Sequence, residues 1–148
     1  RDTDWPGGDI MIIDMPPGTG DTQLSISQLC ELTGTVIVST PQDVALIDAV
    51  KAAKMFTKVE IDVLGIVENM SFFACPKCGE ETPIFSRYGA EETSKTIQAP
   101  FLGAIPIELE VRKGGDEGKP LMASNLDSPA SMAFKNIADN LVKVLEEG

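Results

Sequence analysis

Cys75-Pro76-Lys77-Cys78 places two thiols on one turn. That spacing suits one edge of a tetrahedral metal site or of an iron–sulfur cluster, and Gly79 allows the backbone to turn amides towards sulfur. Structural zinc and a [4Fe–4S] cluster each want four ligands. The third cysteine, Cys30, sits apart between Leu29 and Glu31 and reads as a small core residue. A two-fold dimer, each subunit giving Cys75 and Cys78 to a shared site, completes the ligand set with the fewest parts. Zn2+ in the same half-site is the nearest competitor. A redox dithiol is a third reading, but that motif belongs at a helix N-terminus after a strand, and here prolines and charges surround it.

A second constellation lies near the start of the chain. Ile10-Met11-Ile12-Ile13 is an apolar run that ends on Asp14, followed by Met15-Pro16-Pro17-Gly18-Thr19-Gly20-Asp21. An acid at the C-terminal end of a strand can hold Mg2+ directly or through water, and the backbone amides of Gly18 to Gly20 can then point at a γ-phosphate. The plainer reading of Asp14 alone is a capping acid before a tight turn. Asn69 closes another apolar run, and its side-chain amide offers the donor and acceptor that a purine edge requires. On its own it reads first as a strand-end turn residue.

These residues need a frame. Residues 9–14 read as a buried strand, since a parallel strand covered on both faces shows no alternation. Gln23 to Leu32 reads as a helix, and Thr35-Val36-Ile37-Val38-Ser39 as a β-branched strand. A helix follows from Pro41-Gln42-Asp43 to about Lys58, with Asp43 as its cap and Ala45, Leu46, Ala49, Ala52, Ala53 and Phe56 on one face. Val63 to Asn69 is a third strand, residues 70–85 are irregular, and Tyr88 to Ile97 is a helix. Phe101 to Pro106 is a fourth strand and Gly114 to Pro120 a loop. A closing helix runs from Pro129 to Glu147 with Met132, Phe134, Ile137, Leu141 and Leu145 inward. Strands alternating with helices predict an α/β fold, a parallel sheet with helices on both faces. Ligands in such a fold sit beyond the C-terminal strand ends, where Asp14, Pro41-Gln42, Asn69 and Pro106 cluster.

Composition narrows the chemistry further. Twelve Lys plus Arg against twenty-three Asp plus Glu leave a net charge of −11 over 148 residues, which opposes charge-driven nucleic-acid binding. There is no histidine, so His-based triads and His-ligated zinc sites are excluded. No apolar run approaches the roughly 18 residues of a membrane helix. No signal peptide opens the chain, and the odd cysteine count argues for a reducing compartment, which we take as cytoplasmic. No Met leads the sequence, so it reads as a possible fragment.

The string from Ile12 to Asp21 closely resembles the Walker B and switch II segment of the Mrp/ApbC family, P-loop ATPases of the MinD/ParA type that are thought to carry iron–sulfur clusters. The resemblance continues through Ser39-Thr40-Pro41-Gln42, Glu68-Asn69-Met70-Ser71, the Cys75–Cys78 pair, Phe101 to Pro106, Val111 to Asp116 and Gly118-Lys119-Pro120, in the family's order and over nearly the whole chain. It implies a P-loop NTPase fold and a role for Asp14, Gly18 and Asp21 in ATP chemistry with Mg2+, Asp14 being the magnesium-side ligand. It also implies adenine contact by Asn69, with Pro106 and Ile107 packing on the base, and a labile [4Fe–4S] cluster bridged by Cys75 and Cys78 of two subunits. The expected protein is an ATP-binding and ATP-hydrolysing cluster carrier or scaffold, a homodimer that serves apo iron–sulfur recipient proteins. One departure is large: no Gly-x-x-x-x-Gly-Lys-Ser/Thr occurs. Residues 1–148 therefore read as the C-terminal portion of a single ATPase domain, with its cysteine segment at about 70–85. ATPase activity belongs to the parent protein, because without a phosphate-side lysine the phosphate charge meets Asp14 and an acidic chain uncompensated. The competing class is a MinD/ParA-like regulatory ATPase with a zinc-stapled or thiol-only dimer interface. An acidic C-terminus, Leu145-Glu146-Glu147-Gly148, counts against its basic membrane helix. Arg112 is left open between an acid and a nucleotide or partner.

Overall fold

A computed structural model describes residues 7–16, 20–75, 77–85 and 88–147. In chain order the elements are α1 (Asp21–Leu29), β1 (Thr35–Ser39), α2 (Asp43–Lys58), β2 (Val63–Glu68), β3 (Phe73–Ala74), β4 (Glu81–Thr82), α3 (Gly89–Ile97), β5 (Phe101–Ala104), α4 (Leu109–Glu117), α5 (Leu121–Ser124) and α6 (Pro129–Glu147).

The β-branched and apolar runs form a parallel sheet in the order β1-β2-β5. Each face is covered by helix. On one side Ile37 and Ile66 of the sheet meet Ala49 and Ala53 of α2 and Ala90 of α3. On the other, Val67, Leu102 and Ile105 meet Leu121 of α5 and Ala130 of α6, with Ile137, Leu141 and Val144 packed alongside. The α2 stripe is the predicted one: small alanines let the helix lie close on the sheet, and Phe56 closes its end. Ser128 and Pro129 start α6 in the expected way, the Ser128 hydroxyl accepting from the Ser131 amide and proline needing no donor at the first helical position. The free side of β5 is partly covered by α6, whose Asn140 Nδ2 donates to the Leu102 carbonyl at 2.9 Å.

Several expectations are corrected. Residues 9–14 are not a strand: they pair with no strand among the described residues, and Ile10 and Ile12 are 60% and 86% exposed. A strand apolar on both faces is held by neighbours on its edges and layers on its faces, and among the described residues no strand borders this segment. The glycines of 114–120 do not make a loop. Gly114 and Gly115 lie inside α4, and Gly118 at φ 66° terminates it in the left-handed conformation glycine adopts without penalty. Gly114 is also a close approach, since a Cβ there would sit 2.5 Å from the Lys119 carbonyl oxygen. Asp43 does not cap α2. Gln42 holds the cap position with no side-chain bond to the helix amides, and Asp43 is the acid of the first turn, where it complements the helix dipole. Cys30 is exposed rather than core, because α1 contributes to neither apolar cluster. Met132 faces outward, and Phe134, though in phase with the inward stripe of Ala130, Ile137, Leu141 and Val144, is 36% exposed.

Two glycine substitutions separate close packing from free space. A Cβ on Gly65 would meet Leu102 Cγ at 2.5 Å, and Leu102 is 1% exposed. Gly65→Ala is expected to lower stability by about 1–3 kcal/mol in urea unfolding. Gly115 has nothing within 4 Å of such a Cβ and sits in a helix. Gly115→Ala is expected to raise stability by about 0.5–1 kcal/mol in the same measurement.

Candidate functional site: the strand ends and the cysteine hairpin

Ser39, Glu68 and Ala104 stand side by side at the C-terminal ends of the three parallel strands. The segments leaving those strands are bonded to one another. The Asn69 amide donates to the Ser39 carbonyl at 2.7 Å, and the Ile105 amide to the Glu68 carbonyl at 2.8 Å. Pro41 and Pro106 are buried beside this edge, Ile107 is half-buried, and Thr40 Oγ1 donates to Gln42 Oε1 at 2.6 Å. The fold thus brings Asn69, Pro106 and Ile107 to one strand-end surface. Asn69 Oδ1 accepts from the Met70 amide at 2.9 Å, which supports the left-handed conformation of Met70 at φ 57°.

Glu68 is the residue that sequence reasoning passed over. It is 1% exposed, and its carboxyl accepts from the Ser71 hydroxyl on one oxygen and from the Ala90 amide at 2.8 Å on the other. That second donor belongs to the first turn of α3, where helix amides have no partner of their own. The available signal was a lone acid closing the apolar run Val63 to Val67 with a serine three residues on.

The chain leaves this edge into the β3–β4 hairpin. The Ser71 amide donates to Ile105 O at 3.0 Å and the Ile107 amide to Phe72 O at 2.7 Å, and Phe73 bridges Ile107 in parallel. Cys75 and Cys78 sit at the hairpin's tip. The Cys75 amide donates to Glu80 O at 2.9 Å and the Gly79 amide to Cys75 O at 2.8 Å, with Gly79 at φ 74°. Cys75 is half-buried, Cys78 is exposed, and neither is in a disulfide. The backbone amide of Lys77, then that of Cys78, then the Cys78 thiol hold the Cys75 thiol below its usual range, against a smaller upward push from burial. Among the described residues no three acids or cysteines converge as a metal site. An open groove of about 630 Å3 lies between the hairpin, β5 and α6, and Phe72, Gly79, Glu81, Pro106 and Asn136 are on its walls.

The first constellation is held less closely. Asp14 is exposed on the unpaired segment before α1, Asp21 is exposed at the first position of α1, and Gly18 lies outside the described residues. Among the described residues, the buried Gln23 side chain donates to the Pro16 carbonyl at 2.6 Å. Arg112 pairs with Asp116 at 2.6 Å along the exposed face of α4.

The family description for the NUBPL iron-transfer P-loop NTPases, of the ParA group, matches residues 1–142. The chain belongs to this family. It is 50% identical over 146 residues to the iron-sulfur cluster transfer protein NUBPL of Dictyostelium discoideum, covering 99% of this chain and 45% of that protein. It is 44% identical over 145 residues to the iron-sulfur cluster carrier protein of Escherichia coli K12, covering 98% of this chain and 39% of that one. A solved nucleotide-binding protein from Archaeoglobus fulgidus, in complex with ADP, superposes with a TM-score of 0.67 at 38% identity, over 81% of this chain and 48% of that one. The chain therefore spans less than half the length of these relatives. The α/β P-loop NTPase fold expected from the sequence is the fold observed. No helix among the described residues is long and apolar enough to cross a membrane.

The lowered Cys75 thiol gives a pH signature. Its folded pKa is depressed, so its thiolate persists to lower pH in the folded chain than in the unfolded one. The associated stabilisation is present above the unfolded pKa and lost as pH falls through the folded value. Site-resolved iodoacetamide labelling should show the Cys75 rate profile inflecting at lower pH in buffer than in urea. Coincident inflections would refute the amide cradle.

Proposed function

We propose that the protein to which this chain belongs is an ATP-binding and ATP-hydrolysing iron–sulfur cluster carrier that works as a homodimer, each subunit giving Cys75 and Cys78 to a shared [4Fe–4S] cargo. The observation that carries the reading is the cysteine hairpin itself. Two free thiols stand at one tip, one of them eased towards thiolate by backbone amides, and no third acid or cysteine of the described chain joins them. Such a half-set of soft donors is completed by a second copy. An incomplete, half-exposed site also suits cargo that must leave again, received by apo iron–sulfur proteins. The names of the two relatives, a cluster transfer protein and a cluster carrier, point the same way.

The nucleotide side is assigned residue by residue. Asp14 offers the hard oxygen that Mg2+ prefers, and the exposed carboxylate is free to take it directly or through water. The amides around Gly18 face phosphate in this reading, and Asp21 helps to order the attacking water. Asn69 reads the adenine edge while Pro106 and Ile107 pack on the base. The strand-end placement of these last three supports the assignment, since nucleotides in open α/β sheets lie beyond the strand C-termini. Bound ATP with its Mg2+ supplies the free energy of hydrolysis, and this chain's own residues orient it. The phosphate-side lysines are not among these 148 residues. Free thiols fit a reducing compartment such as the cytoplasm, and the net charge of −11 opposes charge-driven binding of nucleic acid.

Anaerobic reconstitution with iron and sulfide tests the proposal. The wild-type chain should gain a visible chromophore, elute as a dimer and hold about one cluster per two subunits, as four thiolates per cluster require. Cys75→Ser/Cys78→Ser should stay colourless and retain the far-UV spectrum of the wild type. Unchanged colour and iron content in that variant would remove the cysteine assignment. Zinc with no iron would move the protein to the zinc-stapled regulatory class.

A further inference from the structure

The surface assigned to the nucleotide base and the cysteine hairpin are not separate features joined by a loose loop. Asn69 and Cys75 are six residues apart on one continuous segment that runs from the turn at Met70 into β3. Pro106 and Ile107 lie on the second segment, and the two are stitched along their length. Ile105 N bonds Glu68 O, Ser71 N bonds Ile105 O, Ile107 N bonds Phe72 O, and Phe73 bridges Ile107. Gly79 of the cysteine turn and Pro106 face the same groove. Coupling between sites is carried by contiguous hydrogen-bond networks and packed segments, and this ladder is anchored at one end. The fixed end is the Glu68 carboxyl, buried between the Ser71 hydroxyl and the first turn of α3. The weak point beside it is Met70, a non-glycine residue at φ 57°. Without the Glu68–Ser71 bond the turn at Met70 can flex and absorb movement of the hairpin.

We propose that Glu68 and Ser71 are positioning residues that make the base-contact segments and the cysteine hairpin one coupled unit, so that loading metal on Cys75 and Cys78 tightens residues 69–71 and 105–107. Coupling free energies are reciprocal, so a nucleotide base held by Asn69, Pro106 and Ile107 raises the metal affinity of the cysteines by the same factor. This inference rests on the half-site and base-contact assignments made above, and it adds the route between them.

The test needs no nucleotide. The full chain is titrated anaerobically with Co2+, whose thiolate charge-transfer absorption reports binding at the cysteines, and amide hydrogen exchange is followed in parallel. In wild type, exchange at the Ser71, Ile105 and Ile107 amides should slow by about fivefold or more on loading, the lower end of ordinary site-to-site coupling. The amides of α6, outside the ladder, should not change. Ser71→Ala, which removes the hydroxyl, should keep the charge-transfer band and lose the slowing. Should Ser71→Ala fail to fold, Glu68→Gln carries the same test, because it keeps the side chain's shape and leaves one oxygen for two donors. A band in wild type with unchanged exchange at those amides would overturn the coupling and leave the cysteine half-site standing. Equal slowing in wild type and variants would overturn the assignment of Glu68 and Ser71. No Co2+ binding at all would overturn the half-site and the coupling together.

Discussion

Glu68 is 1% exposed, so its carboxyl oxygens must be hydrogen-bonded, and its position at the end of the central strand decides which groups do this. One oxygen takes the Ser71 hydroxyl and fixes the turn that leads to the cysteines. The other takes the Ala90 amide and fixes the start of α3. The main chain of the same residue accepts from Ile105 and so fixes the exit of β5. Three segments that are far apart in sequence are thereby registered at one point. The strand-end surface and the hairpin both inherit their geometry from it. A burial constraint on a single polar side chain thus organises the part of the molecule where chemistry is expected.

The same end of the sheet shows how the fold divides labour. The apolar clusters on the two faces rest on small residues against the sheet, Ala49, Ala53 and Ala90 on one side and Ala130 on the other, so the helices lie close and the strands are held in place. The strand ends then have fixed positions from which short polar segments project. The cysteine hairpin is different in kind. It has two residues in each strand and exposed or half-exposed side chains at its tip, and its geometry comes from backbone bonds at Cys75 and Gly79. A site built on backbone amides and few side chains can be rigid locally and still stand open to a partner, a property that cargo exchange requires.

Legibility followed burial. β1 and α6 were read with the bounds they have, and α2 and β2 to within one or two residues, because each carries a strong period or a β-branched run that its environment matches. The misreadings have a common cause. Glycine in 114–118 signals a break when read locally, yet in α4 Gly118 is a terminator and Gly114 an approach point. Met132 is apolar, but the helix phase set by Ala130 and Ile137 turns it outward, whereas Phe134 is in phase with them and still 36% exposed. Residues 9–14 have the composition of a buried strand but pair with no strand among the described residues. Within the candidate site, the cysteine pair and Asn69 announced themselves by type and spacing, whereas Glu68 looked like any acid at a strand end.

By itself the sequence determined the fold class, the family resemblance, the absence of histidine chemistry and the two-thiol motif. All of these depend on residue identity and local order, which the chain carries in one dimension. Only the tertiary structure decided that Ser39, Glu68 and Ala104 stand level, that the segments 68–73 and 105–107 are bonded into a ladder, and that a buried carboxyl joins that ladder to α3. Those are contacts between residues more than twenty positions apart. Their pairing is selected by the register of packed strands and the need to satisfy buried polar groups, and no local window of sequence contains that information.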